Sequence, residues 1–336
     1  MPHASHPARK PAPSHRTSSP VPTLDISPDE HGVLVHLATE LMVDAIDHPA
    51  AFTAAAHRLS RQLPERLAEA LYDLELTGPA LLIHGLPVGP IGATPTHPLN
   101  RVTHRTMLSR ATAVIAAAAG HLVGYRAESE GRLIQTICPV SADSNRQAST
   151  GSVNLECHTE QAFNSTTRPD TIFLAAHRGD PDAATYAMSA ADALGHLPTR
   201  SVRLLREPRF FTRIDDSFLR GGLADEVRGP MPVFSGPDCD PLITFDEDLQ
   251  FSPSSAHAAA LDELRALWSH LRHSVFLGPG DLLAIDNSRI VHGRSTYHPR
   301  YDGGDRWLAR LQIQKSLTPS RHARIPSTPI IETHGT

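Results

Sequence analysis

From Arg132 to Lys315 the chain falls into short apolar runs separated by Gly, Pro, Asp and Asn, and that spacing limits the fold more than any other feature. A chain interrupted so often reads as the short strands of an all-β sandwich or barrel. The expected strands are Leu133 to Ile137, Thr171 to Ala176, Phe210 to Ile214, Leu242 to Phe245, Ser274 to Leu277, Asp281 to Ile285 and Leu308 to Gln314. One helix is expected among them, from about His257 to His273, with Leu261, Leu264, Trp268 and Leu271 as its buried stripe.

Ahead of this span the texture is different. Val33 to about Leu76 is helical in pattern, Thr77-Gly78-Pro79 ends it, and Ala80 to Ile83 reads as a short buried strand. The alanine-rich run Met107 to Ala119, stopped by Gly120, has the strongest helix propensity in the chain. The expected fold is therefore mainly β with flanking helices, around a double-stranded β-helix (jelly roll) core, an architecture that holds ligands in its mouth. Residues 1–24 hold six prolines and the cations Arg9, Lys10 and Arg16 with no acid, and are expected to be a disordered tail. Residues 25–336 are expected to be one domain, with helical support over 25–125 and the jelly-roll core over 126–318.

The formal charge of −5 gives no electrostatic case for nucleic acid or an anionic membrane as partner. No apolar run approaches the length of a membrane span. Cys138, Cys157 and Cys239 are widely spaced, with no C-x-x-C, so a reducing cytoplasm is the expected compartment.

Within the β-rich span lies His158-Thr159-Glu160. In an extended chain, residues two apart share a face, so His158 and Glu160 can grip one metal ion. A third ligand, best supplied by His292, would complete the facial triad of non-haem Fe(II) oxygenases, which leaves three positions open. With 21 histidines and 36 acidic residues, chance alone supplies such a pair. More telling is Arg306 to Gln314, where Trp307, Ala309, Leu311 and Ile313 face one way and Arg306, Leu308, Arg310, Gln312 and Gln314 the other. If the second face is the barrel interior, both guanidiniums need anionic partners, and a small dicarboxylate matches the bidentate fork of arginine.

The motifs Glu130-Gly131-Arg132-Leu133, His158-Thr159-Glu160-Gln161-Ala162-Phe163 with Arg168-Pro169-Asp170, Gly280-Asp281-Leu282-Leu283 through His292-Gly293-Arg294, and Arg306-Trp307-Leu308 occur in one order. Over about Ala80 to Leu317 the chain thereby resembles the clavaminate synthase-like Fe(II)/2-oxoglutarate-dependent oxygenases. The resemblance implies His158, Glu160 and His292 as iron ligands, and Arg306 with Thr185 as partners of the distal carboxylate of 2-oxoglutarate. It implies Arg310 and Glu128 as holders of the carboxylate and amine of a free amino acid, and dioxygen as co-substrate. Asp246 stands near the position that reads the substrate's side chain. Whether its partner is Thr244 or Asp248 is open, so lysine, arginine or another polar side chain stays open; the expectation is hydroxylation of a free amino acid with a basic side chain, lysine ahead of arginine, with a carrier-bound residue or a non-catalytic jelly-roll binding module as alternatives. Asp215 and Asp216 are further acids that could line the pocket, though a solvated loop is the favoured reading. A zinc deaminase is the rival use of His-x-Glu, but it requires Pro-Cys-x-x-Cys, and Cys239 is followed by Asp240-Pro241-Leu242.

Overall fold

The computed structural model describes residues 21–332 apart from Thr77. Most of the expected tail lies outside the described residues, but its last residues do not: Thr23 and Leu24 already belong to a strand.

In chain order the strands are β1 (Thr23–Asp25), β2 (Ala80–His84), β3 (His121–Tyr125), β4 (Ile134–Ile137), β5 (Leu155–His158), β6 (Thr171–Arg178), β7 (Thr185–Ser189), β8 (Phe210–Thr212) and β9 (Arg228–Met231). They continue as β10 (Phe234–Ser235), β11 (Leu242–Ile243), β12 (Gln250–Phe251), β13 (His273–Val275), β14 (Leu282–Asp286), β15 (Ile290–Arg294), β16 (Trp307–Gln314) and β17 (Ile330–Ile331). The helices are α1 (Pro28–Glu40), α2 (Pro49–Ser60), α3 (Glu65–Leu76), α4 (Met107–Ala119), α5 (Ala190–His196), α6 (Thr199–Leu205), α7 (Asp216–Arg220) and α8 (Ser255–Leu271).

Among the described residues the largest sheet has eight strands in the order β1-β2-β14-β6-β16-β3-β17, with β4 also paired to β16. A four-stranded sheet runs β13-β7-β15-β5. Side-chain alternation shows how the two sheets meet. Leu308, Ile172, Leu174, Leu283 and Ile285 of the large sheet share one apolar cluster with Ala187, Val275 and Ile290 of the smaller one. The alternate residues Ala309, Leu311, Ile313, Phe173, Ala175 and Ala284 turn outward and pack with Leu34, Phe52, Leu67 and Val114 of the helices. Central strands buried on both faces must be apolar throughout, which is why β6 and β14 read as unbroken runs. On β16 the inward face also carries Arg310, Gln312 and Gln314, all buried.

Two facing sheets with flanking helices are the jelly roll that the sequence led us to expect. The helical stretch before Ala80 is three helices. Proline stands in the first turn of α1 and α2, and Ser27 and Glu30 close a capping box on α1. The segment expected as helical support also supplies β1, β2 and β3 to the large sheet. Helix α8 covers the outer face of the smaller sheet, where Leu261, Leu264 and Trp268 meet Cys157, Met188 and Val291. No helix among the described residues is long and apolar enough to cross a membrane.

Candidate active site

Strands β5 and β15 are antiparallel neighbours, and His158 lies directly opposite His292. Since Cys157 and Val291 point outward into the cluster under α8, the alternating histidines point inward between the sheets. A register irregularity follows at once, and Gly293 sits in it: a Cβ there would lie 2.6 Å from Leu155 O and 3.2 Å from the Trp268 ring. Only a glycine lets the two strands close up, and the imidazole centroids stand 4.5 Å apart.

Past β5 the chain turns, and Glu160 brings its carboxylate to the same point. One ligand atom each from His158, Glu160 and His292 lies within 4.8 Å of the others, the one such group found among the described residues. His158 Nδ1 is 2.8 Å from Glu156 O, which can only accept, so Nδ1 carries the proton and Nε2 is left with its lone pair. Burial, then the charges of His158 and Arg310, hold the His292 imidazole well below the usual histidine range. The His292 ring is thus suited to bind a metal in the neutral form, and His158 turns its Nε2 toward the same point. The Glu160 carboxyl is raised by burial, although Arg310 opposes this.

Arg306 is 5 % exposed and forms no ion pair with any described carboxylate. Burial, then the neighbouring Arg294 guanidinium, pull its pKa down to about 10. Thr185 stands opposite Arg294 in the β7–β15 pairing, and its buried Oγ1 has no hydrogen-bond partner. A lone buried cation and an idle hydroxyl, both reached through Arg294, fit a carboxylate that arrives with a ligand.

A cavity of about 220 Å³ opens beside His158 and Glu160, with Glu128, Arg310, Asp215 and Asp246 in its wall. Arg310 donates through Nη1 to both oxygens of Glu160, at 3.1 and 3.0 Å, and through Nη2 to Glu128. Burial works against the Arg310 charge, but Glu128 and Glu160 outweigh it and raise its pKa. Arg310 and Glu128, expected as two separate clamps, are therefore one ion pair. Gln135 joins them, accepting from Arg310 Nε at 2.7 Å and donating to Glu128 at 3.2 Å. Sequence reasoning missed Gln135, although it lies opposite Arg310 in the β4–β16 register. A second cavity, about 420 Å³, adjoins this one behind Glu128 and Arg310, whereas a third, about 640 Å³ between Phe163 and Arg324, touches none of these residues.

Thr244 and Asp248, the two candidates beside Asp246, differ in their surroundings. Thr244 accepts from Arg168 Nη1 at 2.7 Å and does not line the cavity, while Asp246 and Asp248 both do. Asp246 Oδ1 accepts from the backbone N–H of Asp248 and Leu249, and burial raises its carboxyl pKa. Asp215 corrects an expectation, for it is no solvated acid. It precedes α7 without capping it, lines the cavity, and is pushed far up by burial and by Asp246, Glu160 and Glu128. Its neighbour Asp216 does face solvent, paired with Arg146 and Arg220. Neither Asp215 nor Asp246 forms an ion pair with a described cation.

Two neutral imidazoles and one carboxylate converging from one side leave open positions on a metal, the donor set of a non-haem iron(II) oxygenase and not of a closed structural site. The model for the family described as "Taurine catabolism dioxygenase TauD, TfdA family" matches residues 48–312. L-lysine 3-hydroxylase of Catenulispora acidiphila is 40% identical over 311 residues, covering 90% of this chain and 86% of the relative. Clavaminate synthase 2 of Streptomyces clavuligerus is 31% identical over 305 residues, 87% of this chain and 92% of the relative. A crystal structure of asparagine oxygenase with Fe(II), 2S,3S-3-hydroxyasparagine and succinate superposes with a TM-score of 0.87 at 28% identity, covering 93% of this chain and 99% of that one. The chain belongs to the TauD/TfdA family of dioxygenases, among its clavaminate synthase-like members, whose cofactor is Fe(II) and whose co-substrate is 2-oxoglutarate.

Proposed function

We propose that the protein hydroxylates a free L-amino acid with a basic side chain, lysine first, at the carbon next to the α-carbon. The observation that carries this reading is a pair of carboxylates, the buried Asp246 and the half-buried Asp215, that share a cavity with the Arg310–Glu128 pair and form no ion pair with a described cation. Buried acids left uncompensated are costly, so an ammonium group from the ligand is their fitting partner. The neutral amide of asparagine would leave that charge unanswered. Lysine is favoured over arginine because the 40%-identical relative is named a lysine 3-hydroxylase.

His158, Glu160 and His292 would hold the iron, and Arg306 with Thr185 would seat the far carboxylate of 2-oxoglutarate. The iron, 2-oxoglutarate and dioxygen together supply the oxidation of an unactivated C–H bond, with release of succinate and carbon dioxide. The chain's own contribution is placement. Arg310 would take the substrate's carboxylate and Glu128 its amine, steadied by Gln135. Because Arg310 also touches Glu160, a substrate anchored there has its first side-chain carbon nearest the metal ligands, and its far end reaches toward Asp215 and Asp246. The free thiols of Cys138 and Cys157, both buried, suit a reducing cytoplasm.

The test is incubation with Fe(II), ascorbate, 2-oxoglutarate and each common amino acid, reading succinate and a mass gain of one oxygen. Lysine should give both in equal amount. Coupled turnover with no free amino acid would overturn the substrate assignment.

A further inference from the structure

The turn between β14 and β15 carries a fully buried side chain that the chemistry above leaves unused, Asn287. All its bonding groups are committed. Its Oδ1 accepts from the backbone N–H of Glu160 at 2.8 Å, and its Nδ2 donates to Glu160 O at 3.1 Å and to Pro169 O at 2.8 Å. Its own N–H donates to Asp170 O at 2.9 Å. The turn is fixed in its place, since Ser288 N–H donates to Asp286 Oδ1, Arg289 bonds Asp286 and Asp240, and Ser288 O accepts from Ile243 N–H.

The reason lies in the local chain path. Strand β5 stops at His158, and Gln161 takes a left-handed φ of 56°, so the peptides around Glu160 leave the sheet ladder while remaining buried. A buried peptide without partners is strongly disfavoured. The carboxamide of Asn287 has one donor edge and one acceptor edge, as a peptide does, and it meets both the N–H and the C=O of Glu160 as a neighbouring strand would. Asn287 is also five residues before His292, so one short turn ties the backbone of the carboxylate to the strand of the second histidine.

We propose that Asn287 is a positioning residue for the metal: its carboxamide replaces a missing strand and fixes the direction of the Glu160 carboxylate relative to His292. This rests on the reading of Glu160 as a metal ligand. Asn287 touches neither metal nor substrate and acts through the Glu160 backbone alone. Loss of such a supporting contact typically weakens metal binding 10- to 100-fold.

The test uses the full chain, titrated anaerobically with Co(II), reading the dissociation constant by calorimetry and the ligand geometry from the visible d–d spectrum. Asn287→Ala should bind Co(II) about 10 to 100 times more weakly and with an altered spectrum. Asn287→Asp keeps the acceptor for the Glu160 N–H but loses both donated bonds, and should fall between Ala and wild type; it serves equally if the alanine variant does not fold. Ser201→Ala, which removes the bond from the buried Ser201 hydroxyl to the exposed Glu263 on α8, controls for lost stability and should leave Co(II) binding unchanged. Folded Asn287 variants with wild-type affinity and spectrum would reduce the residue to a structural role. Glu160→Ala separates the two readings: if it binds Co(II) as wild type does, the metal assignment itself fails, and if it loses Co(II) while the Asn287 variants do not, only the positioning inference fails.

Discussion

Arg306 is held charged and buried in a protein that gives it no counter-ion, and in the cavity beside the triad Asp215 and Asp246 likewise have no described cation paired with them. Such groups are kept for what binds them, at some cost to the unliganded fold. Arg306→Ala should therefore melt within a few degrees of wild type, because the substitution also removes an uncompensated charge. Its requirement for 2-oxoglutarate should rise about 10- to 100-fold, as expected for a lost charge-assisted pair. Steady-state kinetics in 2-oxoglutarate, beside a thermal melt, checks both halves, and an unchanged KM would remove Arg306 from that role. At this scale much was legible. The alternation from Arg306 through β16 puts Arg306 and Arg310 on one face, because period two is unambiguous over such a run, and packing decides that this face is the inner one. Asp215 was legible only as the less favoured of two readings, since Asp216 and Ser217 beside it are polar and it is the packing of Ile214 and Phe218 that turns the segment inward. Asn287 was hidden for a related reason: asparagine is common in turns, and nothing local distinguishes one that props up a distant peptide.

At the scale of elements, the foreseen strands are β2, β4, β6, β8, β11, β13, β14 and β16, and among those that were not are β3, β7 and β15, where a glycine, a tyrosine or a histidine interrupts the run. Helices α5 and α6 are seven residues each, too short for periodicity to declare them. The foreseen α8 matters most to the site from outside. Trp268 is 3 % exposed, meets the Tyr186 ring edge-on at 6.2 Å, and backs Gly293 beside the ligand His292. Trp268→Ala should cost about 3–5 kcal/mol of stability through the cavity it leaves. Urea unfolding measures this, and a loss below about 1 kcal/mol would show that the smaller sheet holds its histidines without help from the helix.

For the molecule as a whole, ligands that bind only the folded state add to its stability by mass action, about 2.7 kcal/mol at one hundred times the dissociation constant. Mn(II) should raise the melting temperature by a few degrees, and 2-oxoglutarate should raise it further only when the metal is present. Glu160→Ala should abolish the first increment and Arg306→Ala the second. A melting curve indifferent to Mn(II) would contradict a metal site at His158, Glu160 and His292. The scaffold that makes this possible is two facing sheets, and within the smaller one the close approach of β15 to β5 at the triad depends on Gly293. Every codon one base from a glycine codon that still encodes an amino acid other than glycine brings a Cβ, and here that atom would press on Leu155 O at 2.6 Å. Drift at this position has no mild first step, so a descendant that loses Gly293 should be found to have lost the iron with it.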